Sequence, residues 1–350
     1  VTLNDFSVMA LWTALALYAL AFIAFTFDLA RRSSEVRESA ESVVPSAAGR
    51  AGAVSSASSA TASTTSGAAG ASSGGSRTLT AERPASSGNG VRVRATRSPS
   101  LRVGVALTIL GFVVHLAADI TRGIAAGRVP WANMYEFAMT GTLLIIAVFL
   151  VVLTREDLRF LGTFVTGLVV ILLGLSWNFY VEIAPLVPAL QSAWLVVHVF
   201  VASLGTAFLA LGFALSLVQL IQSRQETLKL ELSALKLRFL ATLPDSARLE
   251  NMAYRVNIIG FIFWTFTLIA GAVWAESAWG RYWGWDTKEV WTFIIWVIYA
   301  GYIHARATRG WRGTRSAWLS IIGFAAVLFN FGVVNVFFKG LHAYSGLPGM

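Results

Sequence analysis

The chain has 350 residues, of which 56% are hydrophobic and 13% charged, with a formal net charge of +9 and no cysteine. A mean hydropathy of +0.66 excludes an ordinary soluble domain and points to a polytopic membrane protein. The lack of cysteine excludes a disulfide framework, a thiolate metal site and thiol redox chemistry.

Crossing the hydrocarbon core of a bilayer takes about 20 apolar residues. On that rule eight spans follow in chain order: 8–29, 101–121, 134–153, 160–176, 192–221, 256–275, 290–305 and 316–337. The expected fold class is therefore all-α, a polytopic membrane bundle of about eight transmembrane helices. The first stretch is too long for a signal-peptide core and lacks a basic start and a small-residue cleavage site, so it is expected to remain as a span. Residues 31–99 interrupt the pattern with a Ser/Ala/Gly-rich tract (VSSASSATASTTSGAAGASSGG) that cannot bury enough apolar surface to offset its ordering entropy. Three parts are expected: an N-terminal transmembrane helix over 1–30, a disordered cytoplasmic linker over 31–99 that tethers it loosely, and a seven-helix region over 100–350. Residues 223–252 read as a cytoplasmic amphipathic helix, with Leu228, Leu232, Leu235 and Phe239 near helical spacing.

Lys and Arg fall mainly on one set of loops, which fits the positive-inside pattern of a plasma-membrane protein better than a nucleic-acid surface. Arg31, Arg32, Arg155, Arg159, Arg224, Arg255, Arg306 and Arg315 mark one side, and Arg122, Arg128, Arg281, Lys288 and Lys339 the other. The asymmetry puts both termini and the 274–291 region outside and the linker inside. In Pro130-Trp131-Ala132-Asn133-Met134-Tyr135-Glu136, Asn133 reads as an N-cap with Glu136 in the first turn, and no further role is assigned.

The 274–291 segment, WAESAWGRYWGWDTKEVW, holds Trp274, Trp279, Trp283, Trp285 and Trp291 with Arg281, Asp286, Lys288 and Glu289. An anchoring aromatic belt would spread over both interfaces and many helices. Five indoles in one loop instead make a flat, partly polar shelf, suited to a large planar ligand with an apolar body and charged edges, and haem fits that description. Gly284 would let the backbone approach such a ligand, while Arg281 and Lys288 could meet its carboxylates. Asp286 reads either as part of the shelf or as the cap of the following helix.

The string WGRYWGWDTKEVW with TFIIWVIYAGYIHAR resembles the tryptophan-rich WWD motif of the CcsA/ResC family of cytochrome c biogenesis proteins. GRVPWANMYEF, LQSAWLVVHVF, the AYRVNIIGFIF run and VNVFFKGLHAYSG resemble further segments of that family, in order, over about 101–350. The resemblance implies a chain that holds or transports haem b and presents it at the outer face for thioether attachment to apocytochrome c. It also implies a ResB-type membrane partner in the lipid bilayer. The shelf residues would be Trp279, Arg281, Trp283, Trp285, Asp286 and Lys288. A haem exporter or chaperone without synthase activity is the alternative, and a tryptophan-anchored scaffold that binds no haem is a third reading.

The chain has four histidines. His198 lies roughly 9 Å inside the outer end of the fifth span, and His342 follows the last span. By resemblance these two are the iron ligands of an outer haem. His304 ends the seventh span roughly 20 Å below the outer face, and the resemblance makes it a transmembrane haem ligand whose second ligand comes from the partner. His115, placed about 6–10 Å from the outer end of the second span, is either a packing residue or part of a haem path.

Overall fold

The computed structural model describes residues 2–43, 98–228, 240, 242–308, 310–338 and 340–342, for 36–43 and 228 the backbone alone. Eight long helices follow one another: α1 (Leu3–Val43), α2 (Pro99–Ala126), α3 (Met134–Leu153), α4 (Gly162–Ser176), α5 (Ala193–Leu228), α6 (Ser246–Trp279), α7 (Thr287–Ala307) and α8 (Thr314–Phe329). A π-helical turn, Asn330–Val334, and a last helical turn, Asn335–Phe337, continue α8. There is no strand among the described residues.

Among the described residues seven helical segments are long and apolar enough to cross a membrane, and the chain is a multi-pass membrane protein. α7, the remaining long helix, falls short only in hydropathy, because Trp291, Trp296, Tyr299, Tyr302, His304 and Arg306 dilute its aliphatic residues. It nevertheless packs between α6 and α8 in the same bundle.

Capping chemistry sets several boundaries. Ser98 caps α2 by accepting from the Leu101 amide, and Asn133 caps α3 by accepting from the Glu136 amide, as expected. Gly127 and Gly280 end α2 and α6 in the left-handed conformation. Several helices outrun the apolar spans, since polar turns at the membrane edge extend a helix without adding hydropathy. The middle of the amphipathic helix expected over 223–252 lies outside the described residues. Residues 223–228 complete α5 and 246–252 open α6, whereas Leu232, Leu235 and Phe239 lie outside the described residues. Most of the 31–99 tract lies outside them too, although α1 continues past residue 30 to Val43.

α1 is not loosely attached. It packs along α2 and α4, with the Ser7 hydroxyl donating to the Ala118 carbonyl at 2.8 Å and Tyr18 and Phe25 buried in the interface. α5 and α6 pair closely along small residues, Gly212 facing Asn257 and Gly260 facing Leu209. The two ends of the bundle are tied differently. At one end Arg122, fully buried, donates to Glu136, to Asn4 of α1 and to the Val181 carbonyl. At the other, buried Glu250 is ion-paired with Arg306 and accepts from the Ser316 hydroxyl and the Gly313 amide. Arg306, one of the basic residues that mark one side of the membrane, thus closes α6 against α7 and α8.

Candidate haem site

Between α3, α5, α6, α7 and α8 lies a cavity of about 210 Å³, lined mainly by apolar side chains. Its polar lining includes His198, His342, Lys288, Glu289, Asn330 and Asn335. Trp131, Trp264, Trp274 and Trp283 supply indole walls, and Phe137 and Phe331, with ring centroids 5.0 Å apart, close another side.

The two histidines reach this cavity from separate parts of the chain. His198 lies in the second turn of α5, where Nδ1 sits 3.0 Å from the Thr267 carbonyl of α6. A carbonyl only accepts, so Nδ1 carries the proton and Nε2 keeps its lone pair. The ring stacks on buried Trp274 at 5.6 Å and 14°, and the Trp274 indole N–H donates to the Ala189 carbonyl at 2.9 Å. Gly271 makes the approach possible, because a Cβ there would stand 2.7 Å from His198 Cε1 and 2.9 Å from Nδ1.

His342 arrives from beyond α8. Its Nδ1 donates to Asp286 Oδ2 at 2.8 Å, and its ring meets Trp274 at 5.3 Å and Trp279 at 4.8 Å, both edge-on. Trp274 therefore lies against both imidazoles. The hydrogen bond from His342 holds the Asp286 carboxyl below the usual carboxylate range.

Lys288 lines the cavity from the first turn of α7. Its ammonium donates to the Asn330 carbonyl at 3.1 Å and to Asn335 Oδ1 at 2.5 Å. The π-helical turn presents that carbonyl, and an ammonium has a third hydrogen to offer. Glu289 completes a capping box with Asp286, accepts from the Gly284 amide at 2.8 Å and pairs with Arg281 at 3.5 Å.

A profile of the cytochrome c assembly protein family matches residues 131–342. A cytochrome c biogenesis protein CcsA from Guillardia theta is 37% identical over 264 residues, covering 70% of this chain and 86% of that protein. The chain is a CcsA-type cytochrome c biogenesis protein. A second CcsA, from Synechococcus sp. (strain CC9902), is 41% identical over 177 residues, covering 46% of this chain and 58% of that protein. Among solved structures, cytochrome c haem lyase CcmF matches with a TM-score of 0.57 at 16% identity, over 95% of this chain and 47% of that one. That likeness is one of fold, and the chain spans about half of the CcmF length. The CcsA assignment places this chain in cytochrome c biogenesis.

Among the sequence-derived CcsA residues, His198, His342, Trp283 and Lys288 line the common cavity. Asp286 and Trp279 stand behind His342. Arg281 is turned to Glu289, and its guanidinium occupies the space over Gly284. That glycine therefore admits a side chain of its own loop rather than a ligand. Trp285 adopts a positive φ of 60° and is 74% exposed, in contact with Trp283 but outside the cavity. The tryptophan segment is also mostly helical, since Trp274 and Trp279 belong to α6 and Trp291 to α7, leaving 280–286 as the loop.

His304 is exposed on the outer surface of α7, away from the cavity. His115 is fully buried, with Nδ1 3.4 Å from the Tyr18 hydroxyl of α1. Because α2 runs on to Ala126, His115 lies about 16 Å from the helix end at 1.5 Å per residue, deeper than the apolar span suggests. It does not line the cavity.

Sequence reasoning passed over Trp131, Asn330 and Asn335. The Trp131 indole donates to Thr140 at 3.0 Å, and Thr140 donates to Asp119 at 2.8 Å. Asparagines at 330 and 335, in a segment otherwise apolar over 321–338, were the available signal for a polar turn.

Proposed function

We propose that this CcsA-type chain holds haem b between His198 and His342 and presents it for thioether attachment to apocytochrome c. The observation that carries the reading is that each imidazole is engaged at Nδ1, by a carbonyl and by a carboxylate respectively. That arrangement orients histidine for ligation through Nε2. Indole walls suit an apolar macrocycle, and Lys288 offers a cation to a carboxylate at the same cavity. Haem supplies the vinyl groups and iron of the reaction. The chain's own residues bind, orient and exclude water around them.

The loop, both termini and the His198–His342 cavity face the outside of the plasma membrane on this reading, following the Lys/Arg asymmetry. A ResB-type partner embedded in the same lipid lies against α7, where exposed His304 offers an imidazole to a second, transmembrane haem. His115, walled in by Tyr18 and α1, is a packing residue in this scheme.

Co-expression with an apocytochrome c and a ResB-type partner, followed by staining for covalently bound haem, tests the assignment. Stained cytochrome is expected only when this chain is present, and His304→Ala is expected to lower co-purified haem only when the partner is present. Haem bound to the chain without any thioether product would favour an exporter or chaperone instead.

A further inference from the structure

Asp286 does not line the cavity, yet three groups converge on its carboxylate. Oδ2 accepts from His342 Nδ1 at 2.8 Å and from the Lys288 amide at 3.4 Å, while Oδ1 accepts from the Leu341 amide at 3.1 Å. Gly340 lies so close to Oδ1 that a Cβ there would overlap it. Residues 340–342 are thereby fastened to the N-terminus of α7, across 55 residues of chain.

We propose that Asp286 is a positioning residue that acts on the bound iron through His342, by latching the 340–342 segment and aiming the imidazole into the cavity. This rests on the haem reading above. The two histidines then differ in kind. His198 donates to a neutral carbonyl within the helix bundle, whereas His342 donates to a carboxylate. A carboxylate partner raises the basicity of a ligating imidazole more than a carbonyl does, so His342 is the stronger electron donor of the pair. It also stands on a short segment beyond the last helix, whose position depends on the latch. The acid's place in the tryptophan-rich segment follows from this: its N-cap position on α7 puts it beside the 340–342 segment.

The latch and the electronic effect are separable in the purified full-length protein. Hydrogen exchange of the Leu341 amide reads the latch whether or not haem is present. It is expected to accelerate about tenfold in Asp286→Ala, the worth of one charge-assisted hydrogen bond. Asp286→Asn keeps an acceptor for His342 but cannot accept from both His342 and Leu341, so Leu341 is expected to exchange faster there as well. The reduction midpoint of the bound haem is expected to rise in Asp286→Asn, because a weaker donor favours the ferrous state. Gly340→Ala, which crowds the carboxylate while keeping the α7 cap, is expected to reproduce both changes.

Faster exchange with an unmoved midpoint would reduce Asp286 to a structural cap and overturn the proposal. A moved midpoint with unchanged exchange would place the acid's action on haem itself and also overturn it. If His342→Gly left the haem spectrum unaltered, the haem reading would fail, while the exchange result would still report on the latch.

Discussion

Replacing His198 or His342 with glycine is expected to lower cytochrome c assembly by at least about tenfold, since even changes that only reorient a metal-bound histidine cost about 10–100-fold. Glycine removes the imidazole and leaves a space of its shape beside Trp274, which stays buried against Ala189. Millimolar imidazole added to the growth medium is therefore expected to restore part of the activity in each single variant. Restoration separates loss of a ligand from loss of the fold, because a misfolded chain gains nothing from free imidazole. The two positions should not respond equally. The His198 space is lined by Gly271 and Thr267 inside the bundle, whereas the His342 space is partly exposed. Imidazole is expected to rescue His342→Gly at lower concentration. Haem staining of the matured cytochrome measures both effects.

The second large effect belongs to stability. Glu136→Ala would leave the Arg122 and Arg128 guanidinium groups facing each other without their shared carboxylate. Arg122 is fully buried and touches Tyr135 and Tyr180 through their ring faces at 5.5 and 5.6 Å. Removing one partner of a buried ion pair costs about 3–5 kcal/mol, because the remaining charge keeps its desolvation penalty. The same carboxylate accepts from the Ala132 amide at 2.9 Å, so the turn that carries Trp131 to the cavity loosens as well. Protein abundance in membranes is expected to fall several-fold, and the thermal aggregation midpoint with it. Glu136→Gln keeps the volume and one acceptor and is expected to fall between the two. An unchanged midpoint in Glu136→Ala would show that the cluster contributes nothing to holding α1, α2 and α3 together.

These two effects show what the sequence could reveal and what it could not. Apolar runs announced the helices, because each must present hydrocarbon to lipid over its whole length. α7 was legible as the apolar run 290–305 although tryptophan and tyrosine dilute its hydropathy. The shelf was legible in position but not in orientation. Composition alone cannot distinguish Trp283, which lines the cavity, from Trp285 two residues on, whose left-handed backbone turns it outward. Glu136 looked like a first-turn acid, and that role it does have. Its bridging of two arginines depends on where α2 ends relative to α3, which local sequence does not encode. Trp131 was read as part of a helix start for the same reason. The pairing of Asp286 with His342 spans 56 residues, so only a folded chain discloses it.

The proposed haem is held by two neutral imidazoles, each bound through Nε2. Electron paramagnetic resonance of the purified ferric protein, before and after substitution, tests this most directly. A low-spin signal typical of bis-imidazole coordination is expected. Both His198→Gly and His342→Gly are expected to convert it to a high-spin signal, and added imidazole to return the low-spin signal. A low-spin signal that survives in the doubly substituted protein would contradict this coordination, because the iron would then take its ligands from elsewhere.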